Sequence, residues 1–210
     1  MPRSAPLPAY PHSVDALRLR ELLLQALEAE TGHIAVLSTA LRCALNDDLR
    51  RKWRDLLEHS RRRERTLVSV FQQFDLNLRS QTPGRRIAGH LTAALLEALA
   101  RALEAGDAAA AQVVAAECVE HAAIRIQRTW ELIGHVAHAS VDETGRTLDT
   151  AFESAPRDEG ELYRNRGWVR ELWIETLGLP AVVPPPGRAA RLPETDVPRL
   201  PWRSREPAPT

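Results

Sequence analysis

Glutamate and histidine recur in this chain at positions where a helical segment would ordinarily carry leucine. Glu30 and His33 lie among Leu23, Ala26, Leu27, Ile34, Leu37, Leu41 and Ala44. Those apolar residues repeat at helical spacing and share one face. Glu64 falls in the next such seam, Trp53, Leu57, Ser60, Leu67, Phe71 and Phe74, which follows a 4-3-4-3 spacing. Glu117, Glu120 and His121 share a stripe with Val113 and Ile124, and Glu159 interrupts the run Leu148, Phe152, Ala155, Leu162, Val169. A carboxylate or an imidazole in an apolar seam is costly unless something pairs with it. Two kinds of partner suit them. Hard carboxylate oxygens together with imidazole nitrogen suit iron or manganese. A cationic side chain such as Arg166 suits one of the carboxylates in a buried polar network.

The segments that carry these residues read as helices. Alanine, leucine, arginine and glutamate dominate the composition, which favours helix over strand. Four long helices are expected, at about 14–44, 48–74, 108–139 and 143–177. The last would be kinked at Pro156. A further amphipathic helix, at about 84–104, starts at Thr82-Pro83, an N-cap followed by proline at the first helical position. Ser13 is the expected first N-cap, and Gly178 the expected C-terminal stop. The short link at Asn46-Asp47-Asp48 makes the first two helices an antiparallel hairpin, and the link near Ser140 does the same for the last two. Residues equidistant from such a turn share a height. Glu30 then meets the level of Glu64, and Glu120 with His121 meets the level of Glu159, all near mid-helix. The third long helix carries two apolar stripes. One is expected to face the polar centre, and the other to pack on the connecting helix or on a second subunit.

Proline marks the edges of the folded unit. Of 15 prolines, only Pro83 and Pro156 lie between His12 and Leu179. The expected organisation is a proline-rich arm at 1–12, a helical domain at 13–179 and a proline-rich tail at 180–210 that is dispensable for folding. Lys plus Arg equals Asp plus Glu at 28 each, so no overall field draws the chain to nucleic acid. The arginines of 50–65 read as a solvated face. No apolar run is long enough to span a membrane, and no signal peptide is visible. The thiols Cys43 and Cys118 both fall inside expected helices, which points to a reducing, cytoplasmic setting.

With these residues in place, the pattern resembles the ferritin-like dimetal-carboxylate superfamily over about 14–178, in its rubrerythrin-like or bacterioferritin-like forms. Glu30-Thr31-Gly32-His33 is similar to the family's Glu-x-x-His, and Glu117-x-x-Glu120 is similar to the paired glutamates of rubrerythrins. Where the family has histidine after its other glutamates, this chain has Leu67 and Leu162. The resemblance implies an all-α, ferritin-like four-helix bundle of two antiparallel hairpins, with an extra connecting helix. It implies two iron ions or manganese held by Glu30, His33, Glu64, Glu120 and Glu159, with Glu117 as an outer ligand; His121, which no motif of the family matches, is expected from its height to add a nitrogen ligand. The implied activity is that of a non-haem oxidoreductase acting with dioxygen, peroxide or ferrous ion. Association of copies through helices is also expected. The reading from another class is a metal-free helical interaction protein, in which the same residues form a buried Glu/His/Arg network.

Overall fold

The structure is a computed structural model that describes residues 14–156 and 161–180. Glu159, the N-terminal arm and the tail from 181 onward lie outside these residues, and the cap expected at Ser13 is instead Asp15, directly before α1. All regular structure among the described residues is helical: α1 Ala16–Ala40, α2 Asp47–Gln73, α3 Pro83–Glu104, α4 Ala108–Ala139, α5 Glu143–Ser154 and α6 Glu161–Thr176. None of these helices is long and apolar enough to cross a membrane.

Each helix start has a local cause. Asp15 caps α1, its Oδ1 accepting from the backbone N–H groups of Leu17 and Arg18 at 2.9 and 3.1 Å. Asn46, Thr82, Asp107 and Asp142 cap α2 to α5 in the same way. Such a cap satisfies N–H groups that have no partner within the helix, typically stabilising by about 1 kcal/mol. Pro83 adds a preset helical φ to the start of α3. The single helix expected over 143–177 is instead two. Ala155 is extended at ψ 131°, as a residue before proline prefers, and Pro156 has no N–H to continue the ladder.

α1 is central and packs against α2, α3 and α4, while α4 also meets α3, α5 and α6, and α2 touches α5. The extra stripe on α4 is therefore covered within the chain, by the connecting helix α3 and by α6. α1 and α3 approach closely at Gly32, where a Cβ would run into the side chain of Thr92. The turn from α1 to α2 is tied to α4 through Gln112, whose Oε1 accepts from the N–H groups of Leu45 and Asn46 at 2.7 and 2.8 Å.

The apolar core forms two clusters. One gathers Val36, Leu37, Leu49, Trp53, Leu56, Leu99, Val119 and Trp168. The other gathers Leu23, Leu24, Leu27, Leu67, Phe71, Trp130, Ile133 and Leu148. Burying each such side chain stabilises by about 1.5–3 kcal/mol. Along α1 the two clusters are separated by Glu30 and His33, and along α2 by Ser60 and Arg63. All four of these polar residues are buried.

Candidate functional site

The separating residues bond to one another. Glu30 Oε1 accepts from Arg63 Nε at 2.7 Å and from Trp130 Nε1 at 2.8 Å. Arg63 Nη2 donates to Ser60 Oγ at 3.1 Å, and Arg63 Nη1 donates to the carbonyl of Pro156 at 3.2 Å. His33 Nδ1 lies 2.8 Å from Ser60 Oγ. Residues 30 and 33 are one helical turn apart on α1, and 60 and 63 one turn apart on α2. Each pair therefore points from one face of its helix. The break between α5 and α6 contributes the Pro156 carbonyl, which intact helical backbone would have used internally.

Burial sets the electrostatics. The Glu30 side chain is 1% exposed and that of Arg63 5%. Desolvation pushes the Glu30 carboxyl above its usual range, while Arg63, Trp130 and Ser60 pull it back. His33 is pushed down to about 3, first by burial and then by the positive charge of Arg63. It is therefore neutral at pH 7. A serine hydroxyl has one proton. The His33–Ser60 contact is therefore either Oγ–H donating to Nδ1 or Nδ1–H donating to Oγ, according to the imidazole tautomer. His33 Nε2 and Glu30 Oε2 are two buried polar atoms with no hydrogen-bond partner among the described residues.

The other expected ligands lie elsewhere. Glu64, expected in the seam, is half-buried and accepts from Thr31 Oγ1 at 2.7 Å, because Arg63 rather than Glu64 turns inward. Its level opposite residue 30 is as the turn predicts. Glu117 and Glu120 face α6: Trp173 Nε1 donates to Glu117 Oε1 at 2.8 Å, and Arg166 Nε to Glu120 Oε1 at 3.1 Å. His121 is exposed, with Nδ1 2.8 Å from the Glu117 carbonyl. The α4 stripe facing Glu30 is the apolar one, through Trp130, not the one carrying Glu117, Glu120 and His121. Among the described residues no group of three or more His, Cys, Asp or Glu side chains could hold a metal ion. The dimetal ligand set is thus not assembled by the residues described, and Glu159 lies outside them. Iron or manganese would find at most Glu30 Oε2 and His33 Nε2 here, beside a permanent cation at 2.7 Å from the same carboxylate.

Three members of the network were not singled out by their chemistry in the sequence. Arg63 sits in an arginine run that reads as a solvated face, Ser60 reads as a small seam residue, and Trp130 reads as packing. A signal for Arg63 does exist. Leu49, Trp53, Leu56, Ser60, Arg63, Leu67 and Val70 form a second 4-3-4-3 series on α2, and all of them are buried. The site belongs to the class of buried, charged hydrogen-bond networks inside an all-helical fold. Compared with protein-family models, with curated proteins and with solved structures, the chain matches none.

Proposed function

We propose that the chain is a metal-free helical interaction protein: a four-helix bundle of two antiparallel hairpins, with α5 and α6 together forming the fourth helix, held in register by the Glu30–Arg63–Ser60–His33 network. The observation that carries this reading is the Arg63–Glu30 ion pair at 2.7 Å, with both side chains buried. An arginine there neutralises the carboxylate that a metal ion would otherwise have to neutralise. The opposite sequence order of Glu30–Arg63 against His33–Ser60, and of Glu117–Trp173 against Glu120–Arg166, supports the two hairpins. The interaction role is supported by large apolar side chains left in solvent on α3, Ile87 at 59% and Leu91 at 49% exposure. Elemental analysis of protein purified without a metal-affinity tag tests the reading. The expected result is substoichiometric iron and manganese with full helical content; one or two metal ions per chain would defeat it.

A second reading is favoured by the two buried atoms without a hydrogen-bond partner, Glu30 Oε2 and His33 Nε2. In it the chain is a ferritin-like metalloprotein, and these atoms are the protein's contribution to an iron or manganese site. A bound ion would supply redox chemistry with dioxygen or peroxide. The same elemental analysis decides for this reading if Glu30→Gln and His33→Gln each lower the metal content.

A further inference from the structure

We propose that Asn165 brings α6 into the polar layer through one enclosed water molecule, shared with His33 and Glu30. The inference rests on the metal-free reading given above, since a metal ion would take the same two atoms of His33 and Glu30. That α6 belongs to the layer follows from where the apolar stripes stop. One core cluster holds Val36 and Leu37 of α1, Leu56 and Leu57 of α2, and Trp168 and Leu172 of α6. One turn further along each helix, the inward position is taken by His33 on α1, Ser60 on α2 and Asn165 on α6. All three are buried, Asn165 at 3% exposure. Their heights agree as well. The pairs Glu117–Trp173 and Glu120–Arg166 run α6 antiparallel to α4. Trp130–Glu30 and the Gln112 bonds to Leu45 and Asn46 run α4 antiparallel to α1. Counting along these pairs puts Asn165 within about one helical turn of the height of His33.

Asn165 Nδ2, His33 Nε2 and Glu30 Oε2 are buried and have no hydrogen-bond partner among the described residues. Native interiors rarely leave such atoms unpaired. Their chemistry specifies the occupant. Arg63 already neutralises Glu30, so an ion of either sign would add an unpaired charge out of water. The occupant is therefore neutral. Asn165 Nδ2 can only donate, the Glu30 carboxylate only accepts, and His33 Nε2 does either according to its tautomer. A water molecule, with two O–H groups and two lone pairs, meets all three in either tautomer. It accepts from Asn165 Nδ2, donates to Glu30 Oε2, and donates to or accepts from His33 Nε2. Buried waters typically make about three such bonds to groups that would otherwise lack them. The water then joins α6 to the α1–α2 hairpin across the core.

The test is water-selective NOE and ROE spectroscopy of the isotope-labelled full chain, with metal content measured on the same sample. Expected are cross-peaks from one long-lived water to the side-chain amide protons of Asn165 and to the His33 ring. Their sign should be that of dipolar contact and not of proton exchange. Asn165→Leu is expected to abolish the cross-peaks at His33 and to shift the His33 Nε2 resonance, though no hydrogen bond joins the two atoms directly. It is also expected to lower the folded-to-unfolded ratio about tenfold, because the water loses its donor. Glu175→Gln, on an exposed site of α6, is the control and should change neither. The spectra of the unaltered chain decide by themselves if Asn165→Leu fails to fold. A chain with no long-lived water at Asn165 overturns the proposal, and so does a water at Asn165 that has no contact with His33. An Asn165→Leu variant that leaves His33 Nε2 unmoved, or that is more stable than the unaltered chain, overturns it as well. Absence of the water in metal-free, folded protein would overturn this inference alone. Absence of the water together with stoichiometric metal would also defeat the metal-free reading beneath it.

Discussion

At the scale of single residues, the centre of the molecule is decided by which side chain neutralises Glu30. Arg63→Met removes that cation and leaves a buried carboxylate whose remaining hydrogen bond comes from Trp130. The expected loss is about 3–5 kcal/mol, read as a lower urea midpoint. Adding Glu30→Leu to Arg63→Met should recover most of the loss, because the pair's desolvation is then removed together with its attraction. A double variant as unstable as the single one would mean that the charges do more than cancel each other. His33 makes a prediction about pH. Held neutral with its pKa near 3 in the folded chain, it takes up a proton near 6.5 when unfolded. Its contribution to stability is therefore complete above about pH 6.5 and is lost as the pH falls towards 3, at about 1.4 kcal/mol per pH unit. Glu30 acts in the opposite sense. Its raised pKa means that the folded chain takes up a proton first as the pH falls towards 4.5, which offsets part of the loss. His33→Gln should flatten the stability profile between pH 6.5 and 5, and an unchanged slope would assign it to another group. Glu30 and His33 were legible in the sequence as buried polar residues because both interrupt one apolar series. Arg63 was not. Two seams on α2 share Trp53, Ser60 and Leu67 and differ in whether residue 63 or 64 turns inward. Spacing alone cannot separate them, and only the approach of Glu30 from α1 favours the arginine.

At the scale of helices, most starts were legible, though α1 is capped by Asp15 and not by Ser13, and Pro156 was legible as a kink but not as the full break between α5 and α6. Asn46, Thr82 and Asp107 act where their side-chain chemistry says they should. The apolar series across Pro156 stays in phase, so periodicity alone continues the helix through it. The backbone cost of proline decides otherwise, and the freed Pro156 carbonyl goes to Arg63. The contact between α1 and α3 at Gly32 was also hidden, since a glycine within a helical pattern does not announce what lies against it. Alanine at an unhindered helical site would gain about 1 kcal/mol over glycine. Here Gly32→Ala drives a Cβ into Thr92, and overpacking of that kind costs about 1–3 kcal/mol. The expected net result is a modest loss, seen as a lower melting temperature. Gly32→Ala/Thr92→Ala should be more stable than Gly32→Ala alone. A single variant that raises the melting temperature would show slack between the two helices. Gln112 is a further element-scale joint. Gln112→Ala deprives two N–H groups at the α1–α2 turn of their acceptor, at an expected cost of about 1–3 kcal/mol, and faster hydrogen exchange at Leu45 and Asn46 would check it.

At the scale of the whole molecule, the all-helical character followed from composition and period, and the polar layer at mid-height followed from counting residues outward from the first turn. The sequence misled on which face of α4 meets that layer, because α4 carries apolar residues on both sides and its acidic stripe turned out to meet α6. The layer itself has a consequence for how this chain chooses one fold. Its helix faces are mostly leucine and alanine, and such surfaces fit one another almost equally well after sliding by one helical turn, about 5.4 Å. Sliding α1 along α2 by that amount in one direction would leave Glu30 against Leu67 and Arg63 against His33 and Ile34, with two unpaired charges out of water. The four polar residues therefore act as an address on otherwise repetitive surfaces, widening the gap between the correct alignment and its near neighbours. Replacing them together, as Glu30→Leu, His33→Leu, Ser60→Ala and Arg63→Leu, should raise the melting temperature. It should also produce several slowly exchanging alignments, visible as multiplied amide resonances. One sharp set of resonances in that variant would mean that the loops alone supply the address.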